Sequence, residues 1–168
     1  MNHISTGEHS LGLLKNGKCV AWGINHYSVC DVPKVEKRFI EVSAGGLHSL
    51  GLLEDGICLA WGLNDCNQID VPRVEQRFIA ISAGGWHSLG LLENGSCVAW
   101  GYDDYSVCDV PKVAKRFIAI SAGLSHSLGL LEDGTCVAWG QNTRGLVETG
   151  QIDVPIVEQR LIAISAGG

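Results

Sequence analysis

Nowhere does this 168-residue chain hold the run of about 20 apolar residues that a membrane-crossing helix needs. Its opening, Met1-Asn2-His3-Ile4-Ser5-Thr6, has neither the basic cluster nor the apolar stretch of a secretion signal, so a cytoplasmic protein is expected. Basic residues are scarce as well. Twelve Lys and Arg against 18 Asp and Glu leave a formal charge of −6 at pH 7, the wrong sign for a groove that neutralises phosphates, and direct nucleic-acid binding is not expected. Cys-x-x-Cys and His-x3-His spacings are missing, which removes the common zinc patterns and leaves no metal or cofactor to assign. No window of about 11 residues sustains a helical apolar period, so helices are not expected either. Cysteine, by contrast, is plentiful. Seven is an odd number, however, and four of them share one repeated position in an apolar strand. Reduced thiols packed as small hydrophobes account for that better than a disulfide framework.

What the chain does have is self-similarity. The stretch from His87 through Ser88-Leu89-Gly90-Leu91-Leu92 and Asn94-Gly95 to Cys97-Val98-Ala99-Trp100-Gly101 recurs from His9, His48 and His126, each copy 39 residues after the last. A fixed period of roughly 20–50 residues means a solenoid, a propeller or an array. Each copy divides alike. A β-rich run such as Phe78-Ile79-Ala80-Ile81-Ser82 closes on Ala83-Gly84-Gly85. A second run alternates Leu89 and Leu91 with Gly90, whose missing side chain predicts close approach of a neighbouring sheet. Asn16-Gly17, Asp55-Gly56, Asn94-Gly95 and Asp133-Gly134 predict type I′ hairpins. Cys97 to Trp100 is then the returning strand, and Pro33, Pro72, Pro111 and Pro155 fall in the connections. Three or four short strands per repeat, apolar on both faces, describe a propeller blade packed between neighbours. The expected fold is an all-β propeller of four repeats, a single domain over residues 1–168.

Two departures from strict repetition carry information. Pro111 and Pro155 stand 44 residues apart, so the fourth copy has five extra residues within 141–151. The first copy also lacks the Arg-Phe-Ile-Ala-Ile run that precedes the others, while the chain finishes on its equivalent, Arg160-Leu161-Ile162-Ala163-Ile164-Ser165-Ala166-Gly167-Gly168. The C-terminal strand 160–168 is therefore expected to complete the first blade.

The pattern Ile-Ser-Ala-Gly-x-x-His-Ser-Leu-x-Leu-x-x-(Asp/Asn)-Gly-x-x-x-x-Trp-Gly resembles the repeats of the regulator of chromosome condensation family. The sequence Leu63-Asn64 followed by Gln68-Ile69-Asp70-Val71-Pro72 looks closest to its bacterial-type members, the β-lactamase inhibitory protein propeller among them. The resemblance covers nearly the whole chain. It implies a propeller, with seven blades in the well-known members and material for four here. An open arc of four blades would expose two apolar sheet faces. A four-bladed ring, an eight-bladed ring of two chains, or further material would cover them. The homodimer is the arrangement expected, because its inter-blade angle departs least from that of seven blades. The resemblance further implies binding of partner proteins. It brings two specific alternatives, nucleotide exchange on a Ran-like small GTPase and inhibition of an enzyme.

Catalytic sets are asymmetric, whereas four of the five Trp, four of the six His and four of the seven Cys recur at fixed repeat positions; no Ser/His/Asp or Cys/His constellation stands out and no enzyme is expected. His9, His48, His87 and His126, each one residue before an apolar strand, are read as structural imidazoles bonded to loop carbonyls. Function is expected where the repeats differ. The loops after Trp-Gly offer His26, Tyr27, Asn64, Asp65, Tyr102, Asp103, Asp104, Tyr105 and Arg144, which a propeller gathers on one rim. Trp86 joins them, since its equivalents are Glu8, Leu47 and Ser125. The expected activity is a non-enzymatic scaffold for protein–protein interaction through this face. A plain alternative is a self-assembling unit whose loops are ordinary solvated connections.

Overall fold

A computed structural model describes the backbone of residues 4–6, 8–144 and 147–167, with the side chains of all of these except 4–6, 143–144 and 147–148. Among the described residues the regular structure is strand, apart from one 3-10 turn at His26–Ser28. Four three-stranded antiparallel sheets follow one another. They are β1 (Ile4–Thr6), β2 (His9–Leu13) and β3 (Cys19–Gly23); β4 (Phe39–Ala44), β5 (His48–Leu53) and β6 (Cys58–Gly62); β7 (Phe78–Ala83), β8 (His87–Leu92) and β9 (Cys97–Gly101); and β10 (Phe117–Ala122), β11 (His126–Leu131) and β12 (Cys136–Gly140). A two-stranded element, β13 (Thr143–Arg144) with β14 (Val147–Glu148), follows the fourth.

The register repeats from blade to blade. His48 pairs with Gly62 and Leu50 with Ala60, as His87 pairs with Gly101 and Leu89 with Ala99. The pairing of β7 with β8 jumps between Phe78 and Ala80, so Ile79 sits in a bulge, and Ile40 and Ile118 do the same in their blades. Middle strands β5 and β8 are buried along their whole length because sheets cover both of their faces. The core consequently lies between blades. One cluster joins Leu50, Leu52 and Cys58 of the second blade to Phe78, Ile81 and Trp100 of the third. A second joins Leu11 to Phe39, Val42 and Trp61, and another joins Leu91 to Phe117 and Leu131. Each blade is thus stabilised by its neighbours rather than by an apolar centre of its own.

Two sequence expectations change in detail. The hairpins form, but not as type I′ turns. Only the glycine takes a positive φ, +79° at Gly17 and +82° at Gly56, while the Asn or Asp before it does not. Gly17 N–H reaches Leu14 O and Leu14 N–H reaches Lys18 O, both at 2.9 Å, which makes a three-residue loop ending in a glycine bulge. The preceding side chain explains the difference: Asn16 Oδ1 accepts the Lys18 N–H at 3.0 Å and closes the turn from a conformation open to any residue. The mid-strand glycines also serve a different neighbour. A Cβ on Gly90 would lie 2.4 Å from the Phe78 ring and 3.4 Å from Trp100. Those residues flank it in the same sheet, so the space is taken by rings folding across the strand rather than by the next blade. The two rings lie 6.2 Å apart at 57°.

The C-terminal stretch continues the arc. Ala166 N–H donates to Ser121 Oγ at 2.9 Å, just as Ala122 does to Ser82 and Ala83 to Ser43 at 3.0 Å. Residues 161–167 therefore stand beside the fourth blade where the inner strand of a following blade would stand, while Gly168 lies outside the described residues. At the other end, β1 occupies the inner edge of the first blade over Ile4–Thr6, pairing Ile4 with Gly12.

Candidate functional site

Antiparallel order puts two kinds of connection on one face of the arc: the Gly-Gly-x loops between inner and middle strands, and the variable loops after each Trp-Gly. They are tied together, for Tyr102 N–H donates to Trp86 O at 3.0 Å and Leu63 N–H to Leu47 O at 2.9 Å.

Repeated polar links hold these loops rigid. His48 Nε2 lies 2.9 Å from Ser88 Oγ in the next blade, and His9 meets Ser49 at 2.7 Å and His87 meets Ser127 at 2.9 Å. Ser88 Oγ donates to Gln68 O at 2.9 Å, so it accepts from the histidine, which fixes the proton on Nε2. Trp100 Nε1 donates to the same Gln68 carbonyl at 3.0 Å. Val29 O receives Trp61 and Ser49 in this way, and Val107 O receives Trp139 and Ser127. The histidines reach the loop carbonyls through a serine rather than directly, a refinement that repeat spacing could not supply. Burial holds the imidazoles neutral, with His48 down at about 3 and His87 at about 4, the neighbouring histidines adding to the effect.

The variable loops carry their own brace. Asn64 Oδ1 accepts the Ile69 N–H at 3.2 Å while its Nδ2 donates to Asp70 Oδ1 at 2.9 Å. Asn25 makes the same pair of bonds with Cys30 N and Asp31, and Asn142 with Ile152 N and Asp153. Asn64 is therefore occupied in shaping its own loop. The third loop has Asp103 in this place; its Oδ1 accepts the Cys108 N–H at 2.8 Å.

The sequence-selected residues divide by blade. His26 and Tyr27 are exposed on the first loop, their rings edge-on at 6.4 Å, with Tyr27 in the left-handed region at φ 57°. Asp65 is exposed on the second loop. Trp86, Tyr102 and Tyr105 come together on the third, where they line a cleft of about 150 Å³ with His87, Val107, Leu124 and Ser125. Trp86 is 39% exposed, Tyr105 47% and Leu124 53%. Tyr102 donates its hydroxyl to Asp104; that bond, with burial and the Asp104 charge, pushes the phenol up to about 12. The Arg144 side chain lies outside the described residues. Sequence reasoning overlooked Leu124, which repeat position places opposite Trp86 across the blade junction, and Asp109, whose importance shows only once the loop brace is seen. No group of three His, Cys, Asp or Glu among the described residues is placed to hold a metal ion.

Residues 39–68, 78–106 and 117–146 match the regulator of chromosome condensation (RCC1) repeat. No curated protein sequence matches the chain. Among solved structures, the CRINKLY WD40 ectodomain of the Arabidopsis thaliana receptor kinase ACR4 is similar at 26% identity and TM-score 0.65, over 83% of this chain and 49% of that one. Yeast RCC1 (Prp20) bound to Kap60 is similar at 20% identity and TM-score 0.77, over 98% of this chain and 52% of that one. Prp20p from Saccharomyces cerevisiae, described with its binding properties to Gsp1p and histones, aligns at 21% identity and TM-score 0.71, over 86% and 44% of the two chains. The chain thus spans about half the length of the structures it matches.

Proposed function

Because the chain belongs to the regulator of chromosome condensation repeat family, we propose that it is a non-enzymatic propeller scaffold binding another protein through the rim that carries Trp86, Tyr105 and Leu124. One observation carries this reading. Bonds within and between the blades are copied from junction to junction, whereas Trp86 and Leu124, large and exposed on this rim, are not. A uniform, rigid frame presenting non-uniform apolar contacts is the ordinary form of a binding surface. The test replaces Trp86, Tyr105 and Leu124 with serine, and separately Leu14 and Ile57 near the hairpin turns, and compares the proteins that each variant cross-links in cells. Loss with the rim set alone supports the reading. Loss only with the hairpin set overturns it. The seven unpaired cysteines favour a reducing, cytoplasmic setting.

Likeness to Prp20p favours a second reading, nucleotide exchange on a Ran-like GTPase. Release of labelled GDP at the background rate would exclude it. The inhibitor reading rests on bacterial-type kinship and on the acidic, aromatic loop at 102–105; an unchanged β-lactamase rate in its presence would remove it.

We also propose that two chains close one eight-bladed ring. The two ends are complementary in the terms of the inter-blade link. Trp22 is 48% exposed where Trp61, Trp100 and Trp139 are 5–7% exposed, and among the described residues Ser10 meets no histidine and His126 no serine. The first blade of one copy supplies what the fourth blade of the other lacks. In such a ring the C-terminal stretch 160–168 takes the inner edge of the partner's first blade only by displacing β1, which holds that edge here.

A further inference from the structure

We infer that the cleft between the third and fourth blades receives an arginine side chain presented by a basic segment of a partner protein; this deepens the rim-binding reading and rests on it. The argument starts from a brace that differs in one loop. In the other three loops an asparagine amide donates to an aspartate six or more residues on, Asn25 to Asp31 at 2.9 Å, Asn64 to Asp70 at 2.9 Å and Asn142 to Asp153 at 3.1 Å. In the third loop Asp103 keeps the accepting half of the brace, 2.8 Å from Cys108 N, but has no N–H to give to Asp109. Two carboxylates stand where an amide and a carboxylate stand elsewhere. Their combined charge is felt by the Cys108 thiol between them, which burial first and then Asp103 and Asp109 push up to about 12.

Asp104 adds a third negative charge on this loop, against the hydroxyl of Tyr102, which lines the cleft. Lys112 is the first cation after them along the chain. Three exposed carboxylates on one short loop favour a cationic partner over a neutral or anionic one. An exposed apolar wall accompanies them: Trp86 and Leu124, which do not recur in kind at the other junctions, with Tyr105, whose counterpart is Tyr27 on the first loop. A neutral apolar partner would cover that wall but strip water from the carboxylates without replacing it. A guanidinium does both jobs. Its plane stacks on indole and phenol faces, and its fork of donors pairs with carboxylates more specifically than an ammonium does. The net charge of −6 draws a basic segment towards this surface in the same sense.

The test titrates the intact protein with an acetylated hexapeptide of alternating arginine and glycine, following tryptophan fluorescence. The same peptide with citrulline for arginine keeps the shape and loses the charge. The expected result is saturable binding of the arginine peptide and at least tenfold weaker binding of the citrulline one. Trp86→Ser should weaken the arginine peptide at least fivefold. Asp103→Asn is the decisive variant, because it restores the brace of the other loops. It should raise the thermal midpoint yet weaken the arginine peptide at least fivefold, a combination that a purely structural role cannot produce. Equal affinity for the two peptides, or wild-type affinity in Asp103→Asn, overturns the assignment. If the arginine peptide fails to bind while rim substitutions still abolish cross-linking, the rim reading stands and this cleft chemistry falls.

Discussion

Glu41 is the residue at which one repeat departs most from the others inside the core. Its equivalents are Ala80, Ala119 and Ala163, all small and apolar. Here a carboxylate lies against the next blade, its Oε2 accepting the Ile81 N–H at 3.1 Å, and its charge adds to the burial that raises the Cys58 thiol. Burial pushes Glu41 up to about 7 despite that hydrogen bond. Its folded value lies above its unfolded one, so its contribution to stability is intact below about pH 4.5 and is lost as pH rises through 7. Glu41→Ala should gain about 2 kcal/mol in urea unfolding at pH 8 and almost nothing at pH 4. A variant with the same gain at both pH values would show that the charge is not the cause. His48 and His87 act in the opposite sense. Held below their unfolded value, they protect the fold above pH 6.5 and withdraw that protection as pH falls towards 4. In Glu41→Ala only this acid arm should remain. The spacing of such residues was plain in the sequence, but their titration was not, because it depends on what the adjoining blade places over them.

At the scale of the element, the unit of stability is the junction between sheets. Ser88 joins three groups of two blades, accepting from His48 and donating to the Gln68 carbonyl that Trp100 also uses. Removing that hydroxyl leaves a buried imidazole N–H without an acceptor. Ser88→Ala should cost about 1–3 kcal/mol, read as a lower urea midpoint at unchanged slope. Gly90→Ala should cost more, since the added Cβ meets Phe78 at 2.4 Å, whereas among the described side chains the nearest to a Cβ on Gly12 are Trp22 and Val20, at 3.1 Å or beyond, so Gly12→Ala should cost less. Equal losses at the two glycines would refute that account. Strand order, hairpin positions and the buried leucine ladder were legible from periodicity alone. The details that were missed share one cause. The turn type turned on an Asx side chain, the glycine space on rings from the same sheet, and the role of Asp109 on a brace between residues six apart. Each depends on where a side chain points, which strand alternation does not specify.

For the whole molecule, the question is what covers the outer faces of the first and fourth blades. The proposed closure predicts a solution mass near twice 17.9 kDa, falling towards one chain on dilution. Ser10→Ala supplies the finer test. Among the described residues Ser10 meets no histidine, so its loss should be silent in a monomer and should weaken a ring in which His126 of the other copy reaches it. A monomer at every concentration, with Ser10→Ala silent, would rule the ring out. The rim residues Trp86, Tyr102 and Tyr105 were selected from the sequence as departures from the repeat. That they share one cleft with Leu124 could be seen only when adjacent blades were set side by side.

The repeated link between blades also bears on how the chain responds to force. The inner strands of the second to fourth blades are hooked to the preceding blade by a backbone bond such as Phe78 N–H to Gly56 O at 3.1 Å, and His9, His48 and His87 to the blade that follows. Pulled from its two ends, the molecule is loaded in series through near-identical fasteners, with no single clamp to give way first. A force–extension trace should therefore show evenly matched sawteeth, each releasing the 39 residues of one repeat, a contour of about 130–140 Å. The arc is in that sense a stack of equal shock absorbers, and its mechanical strength is set by one junction, however many are added.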